Sequence, residues 1–152
     1  MRGGTISGRD RYQVRIRKGG RLDIPIISIV DDDASQRIAT ARLLRSMGFA
    51  AYVFASAREF LLSPRLSDTC CLIADVEMPG MSGLKLQEEL IAQGNTTPVM
   101  FMTAFPEDRI RDQAMRAGAI GFLAKPFDET QLLECVERAL ARHGTGKGRG
   151  DA

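Results

Sequence analysis

The sequence predicts a doubly wound α/β fold: a five-stranded parallel sheet in the order 2-1-3-4-5 with helices on both faces. Three observations predict it. Five short apolar runs alternate with five helix-like segments along residues 26–143. Four of those runs are almost continuously apolar, the pattern of parallel strands covered on both sides. Directly after the first, third, fourth and fifth runs stand polar residues with chemistry to offer, at the carboxyl edge where open α/β sheets bind their ligands.

The elements follow in order. Residues 1–25 hold scattered glycines and arginines without a sustained period and read as a flexible basic extension. The runs are 26-IISIV-30, 51-AYVF-54, 70-CCLIA-74, 98-PVMFM-102 and 120-IGFLA-124; the helix-like segments lie at about 34–47, 56–63, 83–93, 107–117 and 128–142. In the first helix Ile38, Ala41 and Leu44, with Leu43 and Met47, have the 3–4 spacing of a buried face, and Gly48 ends it. The fourth carries Ile110, Ala114 and Ala117 and stops at Gly118. In the fifth, Asp128 is the expected N-cap, Leu132, Val136, Ala139 and Leu140 form the buried face, and Gly144 is the stop. Residues 144–152 then form a disordered Gly-rich tail. Right-handed crossovers joining five βα units give the flavodoxin-like order, with a ligand crevice between the first and third strands.

Composition narrows the class. The chain has 152 residues, 44% hydrophobic and 26% charged, enough for one domain with a real core. No apolar stretch approaches the ~20 residues that cross a bilayer, and the basic N-terminus lacks the apolar segment of a secretory signal. No membrane insertion and a cytoplasmic location are the expectations. Residues 1–25 carry seven Lys/Arg against two Asp, so the net charge of +2 comes from the ends and the central domain is acidic. That distribution argues against nucleic-acid binding by the folded part. Cys70, Cys71 and Cys135 match neither a disulfide framework nor zinc-ligand spacing, and read as buried free thiols.

The chemistry concentrates at the strand ends. Asp75 is an acid delivered by an apolar run into the turn 76-VEMPGMSG-83. In the expected strand order it faces 31-DDD-33 across the crevice, with Asp31 and Asp32 directed at the site and Asp33 in the turn, at the N-terminus of the first helix. Carboxylates gathered there repel unless a cation joins them, and a hard divalent ion such as Mg2+ (or Mn2+) suits an all-oxygen set. Lys125 offers a mobile ammonium against an anionic ligand. Pro126 restricts its turn and opens the option of a cis Lys125–Pro126 bond. Thr103 offers a hydroxyl, and the small Ala104 beside it leaves room for a ligand.

These residues resemble the receiver domain of bacterial two-component response regulators. The resemblance covers residues 26–143 and rests on 30-VDDD-33, 75-DVEMPGMSG-83, 103-TA-104 and 125-KPF-127, at spacings within the family's range. It implies Asp75 as phosphoacceptor and Mg2+ held by Asp31, Asp32, Asp75 and the backbone carbonyl of Glu77. It further implies that Lys125, Thr103 and Ala104 contact the phosphoryl group, and that Thr103 moves toward it while Phe122 responds by packing. A histidine kinase or histidine phosphotransfer protein would donate the phosphoryl group, and a downstream protein would read the result. The face of the fourth helix, fifth strand and fifth helix would switch for partner binding or homodimerisation, with Arg109, Arg111, Arg116, Asp112 and Glu129 supplying its charges. The domain would phosphorylate itself and is not expected to be an enzyme. His143 is expected as a cap or solvated residue, not a phosphodonor.

Only nine residues follow His143, so a stand-alone, chemotaxis-receiver-like protein is expected; the alternatives are a phosphoryl shuttle or sink, or the receiver fragment of a transcriptional regulator with a helix-turn-helix output. Two rivals remain. Asp31-Asp32-Asp33 after a strand fits the opening of a haloacid-dehalogenase-type phosphatase, with Asp31 as nucleophile and Asp33 as acid/base, but leaves 75-DVEMPGMSG-83 unexplained. Residues 1–25 could contact nucleic-acid phosphates as an accessory activity.

Overall fold

The computed structural model describes residues 15–16 and 22–151. Strands β1 (Ile26–Val30), β2 (Ala50–Phe54), β3 (Cys71–Asp75), β4 (Val99–Thr103) and β5 (Gly121–Ala124) form one sheet. Every pairing is parallel and the order is β2-β1-β3-β4-β5, the order expected from the sequence. Helices α1 (Ala34–Ser46), α2 (Ala57–Leu61), α3 (Gly83–Ala92), α4 (Asp108–Arg116) and α5 (Glu129–Asp151) alternate with them. A 3-10 turn at Pro64–Ser67 lies between α2 and β3.

Alternate side chains of each strand feed two separate cores, as period-2 geometry requires. Ile27, Ile29, Cys71, Ile73, Met100 and Met102 pack with α1 and α5 through Ala41, Leu44, Leu132 and Val136. Val30, Leu72, Ala74, Val99 and Phe101 pack on the other face with Phe60, Leu86, Leu90 and Ala114. Side-chain caps start α1, α2 and α3: Asp33 accepts from the Gln36 amide, Ser56 from Glu59 and Ser82 from Lys85, whereas Glu107 before α4 makes no such bond. At α5, Asp128 and Gln131 exchange side chain-to-amide hydrogen bonds of 2.8 and 2.9 Å, a reciprocal capping box.

The structure departs from expectation in four places. Ile38 is 48% exposed, and the buried stripe of α1 runs through Thr40, Ala41 and Leu44. At 3.6 residues per turn Ile38 lies about 120° around the helix from Leu44, beyond the edge of the buried stripe. In α4 only Ala114 is buried, Ile110 is half-buried and Ala117 is exposed, since α4 meets the sheet along a narrow line. Gly144 does not end α5, which continues to Asp151 through the stretch expected as a disordered tail. No proline interrupts 129–151, so glycine lowers helix propensity there without removing a backbone donor. His143 accordingly lies within this helix. The expected flexible extension falls mostly outside the described residues; its described pieces, Arg15–Ile16 and Leu22–Asp23, pair as a short antiparallel ribbon.

Cys71 and Cys135 are buried, with Cys70 partly exposed at the start of β3. Burial pushes the Cys71 thiol well above its ordinary range and raises that of Cys135, which suppresses the reactive thiolate. In the native protein at pH 8, a disulfide reagent should therefore label Cys70 first. Cys71 and Cys135 should react only after denaturant is added, as followed by mass spectrometry. Equal labelling of all three under native conditions would contradict this packing.

Candidate functional site

Parallel register brings the strand ends together. Val30 pairs with Ala74, Asp75 with Met102 and Thr103 with Ala124. Asp31 and Lys125 therefore stand one residue beyond β1 and β5, while Asp75 and Thr103 are the last residues of β3 and β4. Asp31 and Thr103 are fully buried and Asp75 is 6% exposed, whereas Asp32 is exposed at the mouth of the site.

The Lys125 ammonium links the two buried acids. Its Nζ is 3.1 Å from Asp75 Oδ2, a hydrogen bond, and 3.5 Å from Asp31 Oδ2, an ionic contact without hydrogen-bond geometry. The Glu77 amide donates to Asp75 Oδ1 at 3.2 Å, and the Asp33 amide to Asp31 Oδ1 at 2.9 Å. Asp31 Oδ2 is left buried with no hydrogen bond among the described residues. Burial raises the Asp31 carboxyl above the usual carboxylate range, opposed by the Asp33 amide and Lys125 and reinforced by Asp75.

Among the described residues, three carboxylates against one ammonium leave the site short of positive charge. One oxygen each of Asp31, Asp32 and Asp75 lies within 4.8 Å of the others. That spacing, the all-oxygen donor set and the orphaned Asp31 Oδ2 together fit a hard divalent cation. Asp33 stands apart from the cluster, its carboxylate spent on capping α1. The phosphatase reading, which needs Asp33 as acid/base, finds no support in that placement.

Thr103 does not face the crevice freely. Its hydroxyl donates to Glu77 Oε1 at 2.9 Å and accepts from the Phe105 amide at 3.0 Å. Ala104 and Pro126 are exposed, and the Lys125–Pro126 peptide is cis. Phe122 is half-buried opposite Phe101 in the register, with ring centroids 6.5 Å apart and planes tilted by 55°.

Sequence reasoning missed three contributors. Arg37 donates to the Asp31 carbonyl at 2.7 Å and fixes the turn that aims the acidic pair. The signal was an arginine one helical turn after the Asp33 cap. Gly83 has no substitute: a Cβ there would meet the Asp75 carbonyl oxygen at 2.4 Å. Only a glycine lets α3 begin against the backbone of Asp75, where the Gly83 amide donates to the Val76 carbonyl. The third is the Glu77 side chain, expected only as a backbone contributor.

The buried charge of Asp31 opposes folding, so Asp31→Asn, which keeps the acceptor for Asp33, should raise stability by about 1 kcal/mol, roughly 3–5 °C in Tm. Because the folded carboxyl holds its proton to higher pH than the unfolded one, the wild-type contribution of Asp31 to stability grows as pH falls through the raised pKa. Thermal unfolding across a pH series should show that dependence weakened in Asp31→Asn; an unchanged or lower Tm would contradict the electrostatic reading.

Comparison with known proteins places this geometry. The family described as "Response regulator receiver domain" matches residues 27–137. Nodulation protein W of Bradyrhizobium diazoefficiens is 40% identical over 117 residues, covering 77% of this chain and 52% of that protein. Transcriptional regulatory protein FixJ of Azorhizobium caulinodans is 39% identical over 116 residues, covering 76% and 55%. The chain thus spans about half the length of the curated relatives it matches. Among solved structures, the response regulator StyR superposes with a TM-score of 0.79 at 40% identity, covering 85% of this chain and 65% of that one. The FixJ-N crystal structure gives 0.71 at 33% identity, covering 78% and 95%. A match across that much of the chain, on a sheet of the same topology, makes this protein a member of the response regulator receiver family of two-component systems.

Proposed function

We propose that Asp75 accepts a phosphoryl group from a phosphohistidine of a sensor histidine kinase or histidine phosphotransfer protein, and that the aspartyl phosphate switches the domain's surface. The observation that carries this reading is the Lys125 ammonium shared between Asp75 and Asp31 at the mouth of an all-carboxylate pocket. A carboxylate oxygen of Asp75 attacks phosphorus, the P–N bond breaks, and the imidazole leaves with its electron pair. Lys125 neutralises the incoming phosphoryl oxygens, while the β3 strand end and the Glu77 amide hold Asp75 in position for in-line attack. Asp31, Asp32, Asp75 and the Glu77 backbone carbonyl are the residues that would hold Mg2+ (or Mn2+), which when bound offsets charge on the transferring group.

Donor access is supported by an apolar cleft of about 490 Å³ beside Lys125, walled by Ala39, Leu43, Ala104, Pro126 and Phe127. The phosphoryl group adds about two negative charges. Thr103 then turns toward it with the Ala104 backbone, and Phe122 fills the vacated space by packing, having no hydroxyl. This alters the α4–β5–α5 face, where Arg109, Arg111, Asp112, Arg116 and Glu129 are exposed, for binding a downstream protein or a second copy. The domain acts as a self-phosphorylating signalling module and not as an enzyme on a separate substrate. A second reading, the receiver part of a transcriptional regulator, is favoured by relatives such as FixJ. Among the described residues no helix is long and apolar enough to cross a membrane, and a cytoplasmic site of action completes the proposal.

A small-molecule phosphodonor with a divalent cation should leave one acid-stable, base-labile phosphate on the wild type and none on Asp75→Asn, read by mass spectrometry; a label surviving in Asp75→Asn would overturn the assignment. For the dimer, sedimentation should show a mass increase with beryllofluoride, a phosphoryl mimic. No change would remove phosphorylation-controlled dimerisation.

A further inference from the structure

The geometry points to the Glu77 side chain as a latch that holds the Thr103 hydroxyl away from Asp75 in the resting state and must release it when the phosphoryl group arrives. This inference rests on the receiver reading above. Thr103 is fully buried, and both capacities of its hydroxyl are engaged: the proton is donated to Glu77 Oε1 at 2.9 Å and a lone pair accepts from the Phe105 amide at 3.0 Å. The hydroxyl therefore donates to an oxygen on Asp75 only by breaking its bond to Glu77, a charge-assisted bond moderated by the solvent exposure of Glu77.

The same turn supplies the force that breaks it. The Glu77 backbone amide donates to Asp75 Oδ1 at 3.2 Å, which ties Glu77 to the reacting residue. A phosphoryl group on Asp75 places about two negative charges near the Glu77 carboxylate. Repulsion weakens the latch just as the phosphoryl oxygens compete for the Thr103 proton. The carboxylate has room to leave, because Glu77 walls an open groove of about 580 Å³ between α3 and α4, with Ser82, Arg109 and Ile110 among its other walls. Glu77 is thus a positioning residue acting through Thr103, and it sets how much of the phosphoryl interaction is consumed in switching.

Two measurements test this. In the unligated protein, the Thr103 methyl carbon shift reports its side-chain rotamer; it should move in Glu77→Ala and stay near the wild-type value in Glu77→Gln, whose amide oxygen still accepts. With a divalent cation present, Glu77→Ala should bind beryllofluoride about fivefold more tightly than wild type, the scale of one typical net hydrogen bond, and Thr103→Ala should abolish most of that gain. An unmoved Thr103 methyl in Glu77→Ala, or the same gain in the Thr103→Ala background, would overturn the latch, the second result tracing the effect to charge alone. A folded wild type that binds no beryllofluoride would instead overturn the receiver reading, while the ligand-free methyl shift still decides whether the hydrogen bond holds Thr103.

Discussion

The constraint that the rest of the structure must overcome is the mutual repulsion of carboxylates held at one sheet edge. Asp31 and Asp75 are buried, and Asp32 lies within 4.8 Å at the surface. Among the described residues a single ammonium, Lys125, answers them. No local interaction could hold such a cluster in a small domain. Each acid or base is carried by a different strand whose flanks are anchored in an apolar core, so cooperative burial of the sheet opposes the repulsion. The site is stable because the rest of the domain is, and it remains receptive to a cation because its negative charge is not balanced.

Rigid placement on one side of the site coexists with exchangeable contacts on the other. Gly83 brings α3 against the Asp75 carbonyl, and Arg37 pins the Asp31 carbonyl, so both acids are fixed from the backbone. Thr103 is held instead by a side chain on a turn. Its strand continues into Phe101, which packs against Phe122 and shares a core with Ala114 of α4. Thr103 is thus linked through Phe101 to the core that β5 and α4 share, on the opposite face of the sheet from the one that α1 and α5 cover.

Much of this was legible because parallel strands announce themselves. β1, β3 and β4 are near-continuous apolar runs ended by Asp31, Asp75 and Thr103, and their order follows from crossover handedness. Helix faces were less legible. Ile38 looked like core, but the buried stripe of α1 runs through Thr40, Ala41 and Leu44, and residues at loose 3–4 spacing can fall at the exposed edge of such a stripe. Glycine at 144 looked like a stop, yet a glycine ends a helix only where the chain turns into a left-handed conformation, as Gly118 does with φ of 106°. The Glu77–Thr103 bond spans 26 positions and joins a turn to a strand end, a distance over which no periodicity carries information.

The two kinds of residue in the site also differ in what they contribute to the fold. Asp31 is costly to bury and its carboxyl is raised by that burial, so its retention is not explained by stability. Gly83 and Arg37 are explained by stability of the turns alone, with no need to touch a ligand. A domain selected only to fold would keep the second pair and replace the first with a neutral side chain. The buried, half-satisfied carboxylate is therefore the strongest physical mark of function in this chain, stronger than the exposed charges of α4, which a solvated helix would carry in any case.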